Sequence, residues 1–358
     1  MVSTEEILKF DSIAVPIPQR LNLLILLAVW VWQWILHVIS SKLMDISHLV
    51  ITRKPGDIRV SYSHGQVYKA SRQLAVRMLM IIFPLHVATM TFWYIKENSD
   101  GSSQLSNGFM WIGDMLPLIQ FVIIISMILK NSPVVFYCCK RLLLIESQPR
   151  PLRTTYILIS DTLTSFSKPL IDFTLYLSIL AFGELKFSHI DLLVALFPVF
   201  IRMFQCLREF RANPKDKMLF YNMLKYASSL PILVCMWLLR SYPHSSHYHT
   251  KFQKFFMLIQ SCYTFYWDLF NDWSLNSIKN IRVGKSVTFP KEYYRVSVLF
   301  DFIVRFWWVW ISLGHYLGFN FTTAMLFDGE IQYLEIIRRG IWVIFRLESD
   351  YISINAEK

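Results

Sequence analysis

The chain has 358 residues, 54% of them hydrophobic and only 17% charged, with a mean hydropathy of +0.39. Soluble domains carry about 25% charged residues, so this composition excludes an ordinary soluble protein and points to an integral membrane protein. The formal charge of +11 would suit nucleic acid, but the basic residues stand between hydrophobic runs, as topology determinants do, so nucleic-acid binding is excluded as well.

Three features narrow the class further. The five cysteines, Cys138, Cys139, Cys206, Cys235 and Cys262, form no C-x-x-C pair, so they indicate neither a zinc site nor a disulfide framework and read as buried, inert thiols. No metal and no cofactor is expected. The first twenty residues, MVSTEEILKFDSIAVPIPQR, lack the basic and apolar regions of a cleaved signal peptide, and the C-terminal INAEK carries no retrieval or lipidation signal.

In chain order, Leu21–Ser40 is the first apolar run, about the 20 residues that a bilayer core requires. A polar stretch follows with Lys42, Arg53, Lys54, Arg59, Lys69 and Arg72, then a second run, Leu74–Ile95. Residues 97–108 contain no Lys or Arg and read as a short loop before the third run, Phe109–Leu129. The stretch Asn131–Arg153 is amphipathic and closed by prolines, and is expected to lie at the interface. Further runs are Thr155–Phe182, Ile190–Cys206, Met218–Leu239, Phe252–Leu275, Tyr293–Leu317 and Glu330–Leu347, with a His-rich loop, SYPHSSHYH, before the seventh.

The expected fold is therefore all-α: a polytopic transmembrane helical bundle of about nine spans. The loops after spans one, three, five and seven hold the basic residues, including Lys130, Lys140, Arg141, Arg150, Arg153, Arg208, Arg211, Lys215, Lys217, Lys279, Arg282, Lys285 and Lys291. The alternate loops hold far fewer, among them Lys186, Lys251 and Lys254. The positive-inside rule then puts the C-terminus in the cytosol and the N-terminus on the other side. Asn320-Phe-Thr322 matches a glycosylation acceptor in a non-cytosolic loop.

The stretch Ser261–Leu275 reads as one aromatic helix bearing Asp268 and Asp272 on the same face, since residues four apart lie above one another. A lone charge at bilayer mid-depth costs about 2.5–3.5 kcal/mol, so these acids need partners. The other runs of the second half supply them. Acids Asp161, Asp172, Asp301 and Glu335 and bases Lys168, Arg202, Lys225, Arg305, Arg338 and Arg339 lie within or at the ends of apolar segments. Asp161, Ser165, Lys168 and Asp172 form one stripe; Asn222, Lys225 and Tyr226 share a face; so do Asp301, Arg305 and Trp308; Glu335 faces Arg338 and Arg339. With these faces inward, a bundle would enclose a polar, net-basic path. Guanidinium forks suit tetrahedral oxyanions, so the residues point to phosphate or sulfate. Purely structural pairing of helices is the bland alternative. Asp172 and Asp301 suit that role, and the Trp residues near position 308 suit packing.

Five separated motifs carry a resemblance: Trp267-Asp268-Leu269 with Asp272-Trp273-Ser274-Leu275; Arg305-Phe306 followed by Trp308; Glu335 with Arg338-Arg339-Gly340-Ile341-Trp342 and on to Phe345-Arg346-Leu347-Glu348; Arg202 to Arg208; and Asn222 to Tyr226. Together, over about residues 160–348, they resemble the EXS family, which includes eukaryotic phosphate exporters. The resemblance implies a six-helix transport core over 154–348; the apolar runs put N-terminal helices and an amphipathic connector over 21–153, and the loop charges make 1–20 a lumenal segment and 349–358 a cytosolic tail. It implies a phosphate path lined by Asp161, Thr164, Arg202, Asn222, Lys225, Tyr226, Asp272, Arg305, Trp308, Glu335, Arg338 and Arg339. Thr164 stands where some members have Asn. Many exporters begin with an SPX sensor domain, and the resemblance is to the short members without it. These members imply a Golgi phosphate transporter that moves the ion from lumen to cytosol after glycosylation releases it, in support of ER-protein retention and glycosyltransferase recycling. Candidate partners are inorganic phosphate, the lipid bilayer, glycosyltransferase-sorting proteins on the cytosolic side and a second copy in a homodimer. The rivals are a non-transporting adaptor that sorts Golgi enzymes and a membrane-embedded enzyme; the second lacks a paired His/Glu metal motif, so no enzymatic activity is expected.

Overall fold

In a bilayer an apolar run has one low-energy structure, the α-helix, because it satisfies every backbone N–H and C=O within the segment. The computed structural model describes residues 16–42, 44, 64–98, 104–141, 150–183, 189–242, 246–276, 288–316 and 327–356, and among these every element is helical, with no strand. The acceptor Asn320, the basic loop residues Arg53, Lys54, Arg59, Lys186, Lys279, Arg282 and Lys285, and both chain ends lie outside the described residues.

The helices are α1 Ile17–Ser41, α2 His64–Asn98, α3 Gln104–Asn131, α4 Pro133–Arg141, α5 Arg150–Ser165, α6 Ser167–Phe182, α7 Ile190–Ala212, α8 Lys217–Ala227, α9 Leu230–Ser241, α10 Ser246–Trp267, α11 Lys291–Arg305, α12 Trp307–Tyr316 and α13 Phe327–Ala356. Among the described residues, most of each of the nine apolar runs falls on helix. Five helical stretches are long and apolar enough to cross a membrane: α1, α2, α3, α7 and the α8–α9 pair. The bent pair α11–α12 makes a sixth if it counts as one span. The other three runs, on α5–α6, α10 and α13, fall short by that measure. They are broken or carry charge, so length and composition do not establish the count of nine. The chain is an all-α multi-pass membrane protein. Apolar side chains stand exposed on its outer helices, as Leu193, Phe197 and Phe204 do along α7 and Met80, Phe83 and Val87 along α2.

Three interruptions were not read from the sequence. The fourth run is two helices that meet at Phe166. Pro169 has no N–H to give Ser165, and the ladder breaks there. The eighth bends by 55° at Phe306. The stretch Ser261–Leu275 is not one α-helix: after Trp267 it widens into a π-turn, Asp268–Asp272, closed by Trp273 N–H on Asp268 O at 2.9 Å. Ser274 then takes a left-handed φ of 52° and its Oγ lies 2.7 Å from Ser349 Oγ on α13. The loop expected before the seventh run is partly helical, since α10 already begins at Ser246.

α1 packs against α13, α2, α3 and α6. Ile35, Leu36 and Ile39 of α1 join Trp342, Val343, Ile344, Phe345 and Leu347 of α13 in the largest core. Gly340 permits this approach: a Cβ there would sit 2.2 Å from Val31 Cγ1. Trp273, Phe289 and Tyr294 surround Phe345 at ring distances of 5.0, 5.8 and 4.8 Å, within the range aromatic pairs prefer. All five cysteines are free. Cys138, Cys206 and Cys235 are buried as expected, but Cys139 and Cys262 are exposed. Burial pushes the Cys138 thiol, on the short helix α4, up to about 12.

Candidate functional site

The charged faces of α5, α7, α8, α10, α11 and α13 converge on one buried network. Its first layer joins α5, α7 and α8. Arg202 Nε lies 2.7 Å from Asp161 Oδ1, Tyr226 Oη donates to the same carboxylate at 2.6 Å, and Arg202 Nη2 donates to Tyr226 Oη at 2.8 Å. Arg202 Nη1 donates to Gln205 Oε1 at 2.6 Å. Asp161 and Arg202 are each 2% exposed, and charges that deep persist only with such partners.

The second layer is built on the π-turn. Lys225 Nζ stands between its two acids, 3.6 Å from Asp268 and 3.5 Å from Asp272, and also faces the rings of Tyr226 and Trp267 at 4.8 and 5.6 Å. The wider turn keeps both carboxylates on Lys225 while their other oxygens diverge. Asp268 bonds Arg305 and lies 3.7 Å from Arg338. Asp272 accepts from Arg346 at 2.8 Å and from Trp342 Nε1 at 3.3 Å. π-turns recur at functional sites.

The third layer belongs to α11 and α13. Arg338 donates from Nε and Nη2 to the two oxygens of Glu335, both at 2.7 Å, and from Nη1 to Asp301 at 2.7 Å. Arg305 Nε also donates to Asp301, at 3.2 Å. Arg339 differs from its neighbours. It donates to the hydroxyls of Ser165 at 2.9 Å and Thr164 at 3.3 Å, and its guanidinium lies 4.9 Å from the Trp342 ring centre. Among the described residues no carboxylate pairs with it. Ser165 in turn donates to Glu335 at 2.7 Å.

Of the twelve candidate residues, the structure brings Asp161, Thr164, Arg202, Lys225, Tyr226, Asp272, Arg305, Glu335, Arg338 and Arg339 into this network. Two stand apart. Trp308 lies past the Phe306 bend and donates to Ser261 at 3.2 Å, tying α12 to α10. Asn222 forms no hydrogen bond with the network, and its Oδ1 is buried without a partner. The expected stripe on α5–α6 is split by the Phe166 break. Asp161 and Ser165 join the network, while Lys168 and Asp172 form a separate group in which Asp172 accepts from Arg20 at 2.8 Å, Lys168 at 2.9 Å and Gln332 at 3.2 Å. This group pins α1 and α13 to α6.

The path lining is also close to neutral rather than net-basic. Arg202, Lys225, Arg305, Arg338 and Arg346 meet Asp161, Asp268, Asp272, Asp301 and Glu335, Asp350 reaches Arg346 at 3.4 Å, and Arg339 adds the one base with no carboxylate partner among the described residues. Arg346 and Gln205 were missed. Both were legible as same-face neighbours, Arg346 seven residues after Arg339 and Gln205 three after Arg202.

Sequence comparison agrees with this geometry. The EXS family model matches residues 15–352, a range that takes in α1. The chain is 46% identical to Protein ERD1 of Saccharomyces cerevisiae, over 96% of this chain and 95% of that protein. It is 32% identical to Protein ERD1 of Kluyveromyces lactis, over 94% of each. It is 29% identical to mouse Solute carrier family 53 member 1, over 47% of this chain and 25% of that protein. The chain belongs to the EXS family.

Proposed function

We propose that the chain is an inorganic phosphate transporter of the Golgi membrane, moving phosphate from lumen to cytosol and so supporting retention of lumenal ER proteins and Golgi glycosyltransferases. The observation that carries this reading is Arg339. It is a half-buried guanidinium held by two neutral hydroxyls and an aromatic face in a network whose other bases meet carboxylates. Its charge is available to an oxyanion. The paired bases around it can each exchange a carboxylate for a phosphate oxygen, because an arginine fork accepts either partner with the same geometry. Membership of the EXS family and the name solute carrier on a relative support transport, and the carboxylates, held in ion pairs, favour transport over catalysis. The basic-loop alternation supports a cytosolic C-terminus.

The test is labelled phosphate flux in proteoliposomes of known orientation. The expected result is uptake that Arg339→Gln and Arg305→Ala each abolish while the protein stays monodisperse. No flux, or undiminished flux in both variants, refutes the reading. A second reading, a sorting adaptor, draws on the exposed basic turn that carries Arg211, Lys215 and Lys217. An adaptor would keep ER-protein retention in cells carrying Arg305→Ala and lose it when that turn is neutralised.

A further inference from the structure

Beside the first layer, where α5, α7 and the α7–α8 turn meet, lies a recess of about 210 Å³ walled by Arg153, Tyr156, Gln205, Arg208, Glu209 and Asn213 among others. That volume is far above the roughly 10–15 Å³ that holds one water. Gln205 forms the wall between recess and network and is 3% exposed. Its Oε1 accepts from Arg202 Nη1 at 2.6 Å and from Ser160 Oγ at 2.9 Å. Two donors fix that end of the amide on the network, so the nitrogen is the end left for the recess. Gln205 Nε2 is buried there without a hydrogen-bond partner, as is Nε of Arg153, whose Nη2 donates to Glu209 at 2.7 Å. Buried polar groups in native proteins are nearly all matched, and donors left unmatched in a polar cavity call for an acceptor.

The charged lining is balanced, Arg153 and Arg208 against Glu209 and Asp216, and the surplus of positive charge comes from the turn beside it. Asp216 is engaged in capping α8, accepting from Met218 N–H at 3.0 Å. Arg211, Lys215 and Lys217 stand exposed on the same turn with no ion pair among the described residues. Such a surplus beside the mouth raises the local concentration of anions.

We propose that this recess is a second oxyanion-binding site that takes free phosphate between the Gln205 amide and the Arg153 and Arg208 guanidiniums. Gln205, bonded to Arg202 on its far side, separates the two sites by one side chain, so an ion in the recess is positioned to exchange with Arg202. That exchange rests on the transport reading; binding in the recess does not.

The test is protection of a thiol at the rim. In full-length protein carrying Cys139→Ser and Cys262→Ser, reconstituted in phosphatidylcholine nanodiscs, Asn213→Cys is labelled with a maleimide with and without inorganic phosphate. Labelling should slow roughly tenfold at a phosphate concentration ten times the dissociation constant, by simple occupancy. Protection should persist with Arg305→Ala and vanish with Arg153→Gln. Ala212→Cys serves in the same way if Asn213→Cys does not fold. No protection by phosphate overturns the proposal, as does protection that Arg305→Ala removes and Arg153→Gln leaves intact. Protection by a phosphatidylinositol phosphate in the nanodisc but not by the free ion also overturns it. Protection in a protein that moves no phosphate would retain the recess and remove the transport reading; flux without protection would remove the recess alone.

Discussion

Asp268 offers the sharpest test of the network. Its carboxylate meets Lys225 at 3.6 Å, Arg338 at 3.7 Å and Arg305. Asp268→Asn preserves shape and removes the charge. Breaking a buried ion pair from one side costs about 3–5 kcal/mol when the remaining charge has nothing else. Here each cation keeps another acid: Lys225 has Asp272 at 3.5 Å, and Arg305 and Arg338 share Asp301 at 3.2 and 2.7 Å. The loss should therefore fall at the lower end, about 3 kcal/mol. The variant network also holds one more uncompensated positive charge, so it should bind an anion better than the native one. A ligand present at 100 times its dissociation constant stabilises the state it binds by about 2.7 kcal/mol, which offsets most of the deficit.

The assay is thermal unfolding in detergent, followed by tryptophan fluorescence, in phosphate and in chloride of equal ionic strength to hold screening constant. Asp268→Asn should melt well below the native protein in chloride and recover in phosphate. Asp172→Asn is the control. That carboxylate is also buried and multiply paired but lies outside the network, so the variant should lose stability and show no added response to phosphate. Equal stability of Asp268→Asn and native protein in chloride, or an equal phosphate response in both variants, would refute the reasoning.

Three further outcomes follow from particular contacts. Arg339→Lys should lower the melting temperature only modestly, since no carboxylate loses a partner though lysine cannot bond Ser165 and Thr164 while stacking on Trp342, yet lower phosphate flux roughly tenfold or more, because hydrogen bonds to a charged group contribute about 1.5–3 kcal/mol. Gly340→Ala should lower the melting point by an amount equivalent to about 1–3 kcal/mol of overpacking; Val31 is β-branched and cannot swing aside, and Val31→Ala in the same chain should restore stability. Trp308→Phe and Ser261→Ala should each cost about 0.5–1.5 kcal/mol, and the double variant no more than the larger single, since both remove one hydrogen bond of 3.2 Å.

The sequence made the fold class and the inward faces legible because both rest on local rules: a run length set by bilayer thickness and a helical period near 3.6 residues. Partner choice rests on how helices cross, and no period encodes that. Asp268 and Asp272 could be placed on one face, but that Lys225 would sit between them depends on α8 meeting the π-turn. Asp301 could be read in sequence as a staple or as part of the network, and it joins Arg305 to Arg338 across two helices. The role of α1 was hidden for a different reason. Its apolar run resembles any other span, and the cue was the single charge Arg20 at its start, whose partner Asp172 is 152 residues away. The break at Phe166 was readable, since Pro169 stood in view. The bend at Phe306 has no proline beside it, and composition alone gives no sign of it.

A closed, nearly neutral network is what an anion path between two compartments requires at rest. An array of unpaired arginines would hold phosphate too tightly to release it, and would carry a cost of about 2.5–3.5 kcal/mol for each lone charge at mid-depth. Shared carboxylates avoid both. On the proposed transport, if a phosphate oxygen takes the place of Asp268 on Arg305, Arg338 still holds Glu335 and Asp301, and Lys225 still holds Asp272, so no group is stranded during the swap. The three helical irregularities, at Phe166, at Asp268–Asp272 and at Phe306, each adjoin a residue of the network: Ser165, the two aspartates and Arg305. Breaks in the hydrogen-bond ladder are where a helix bends at least cost, so the elements able to move are the ones that carry the charges an ion would displace on the proposed path.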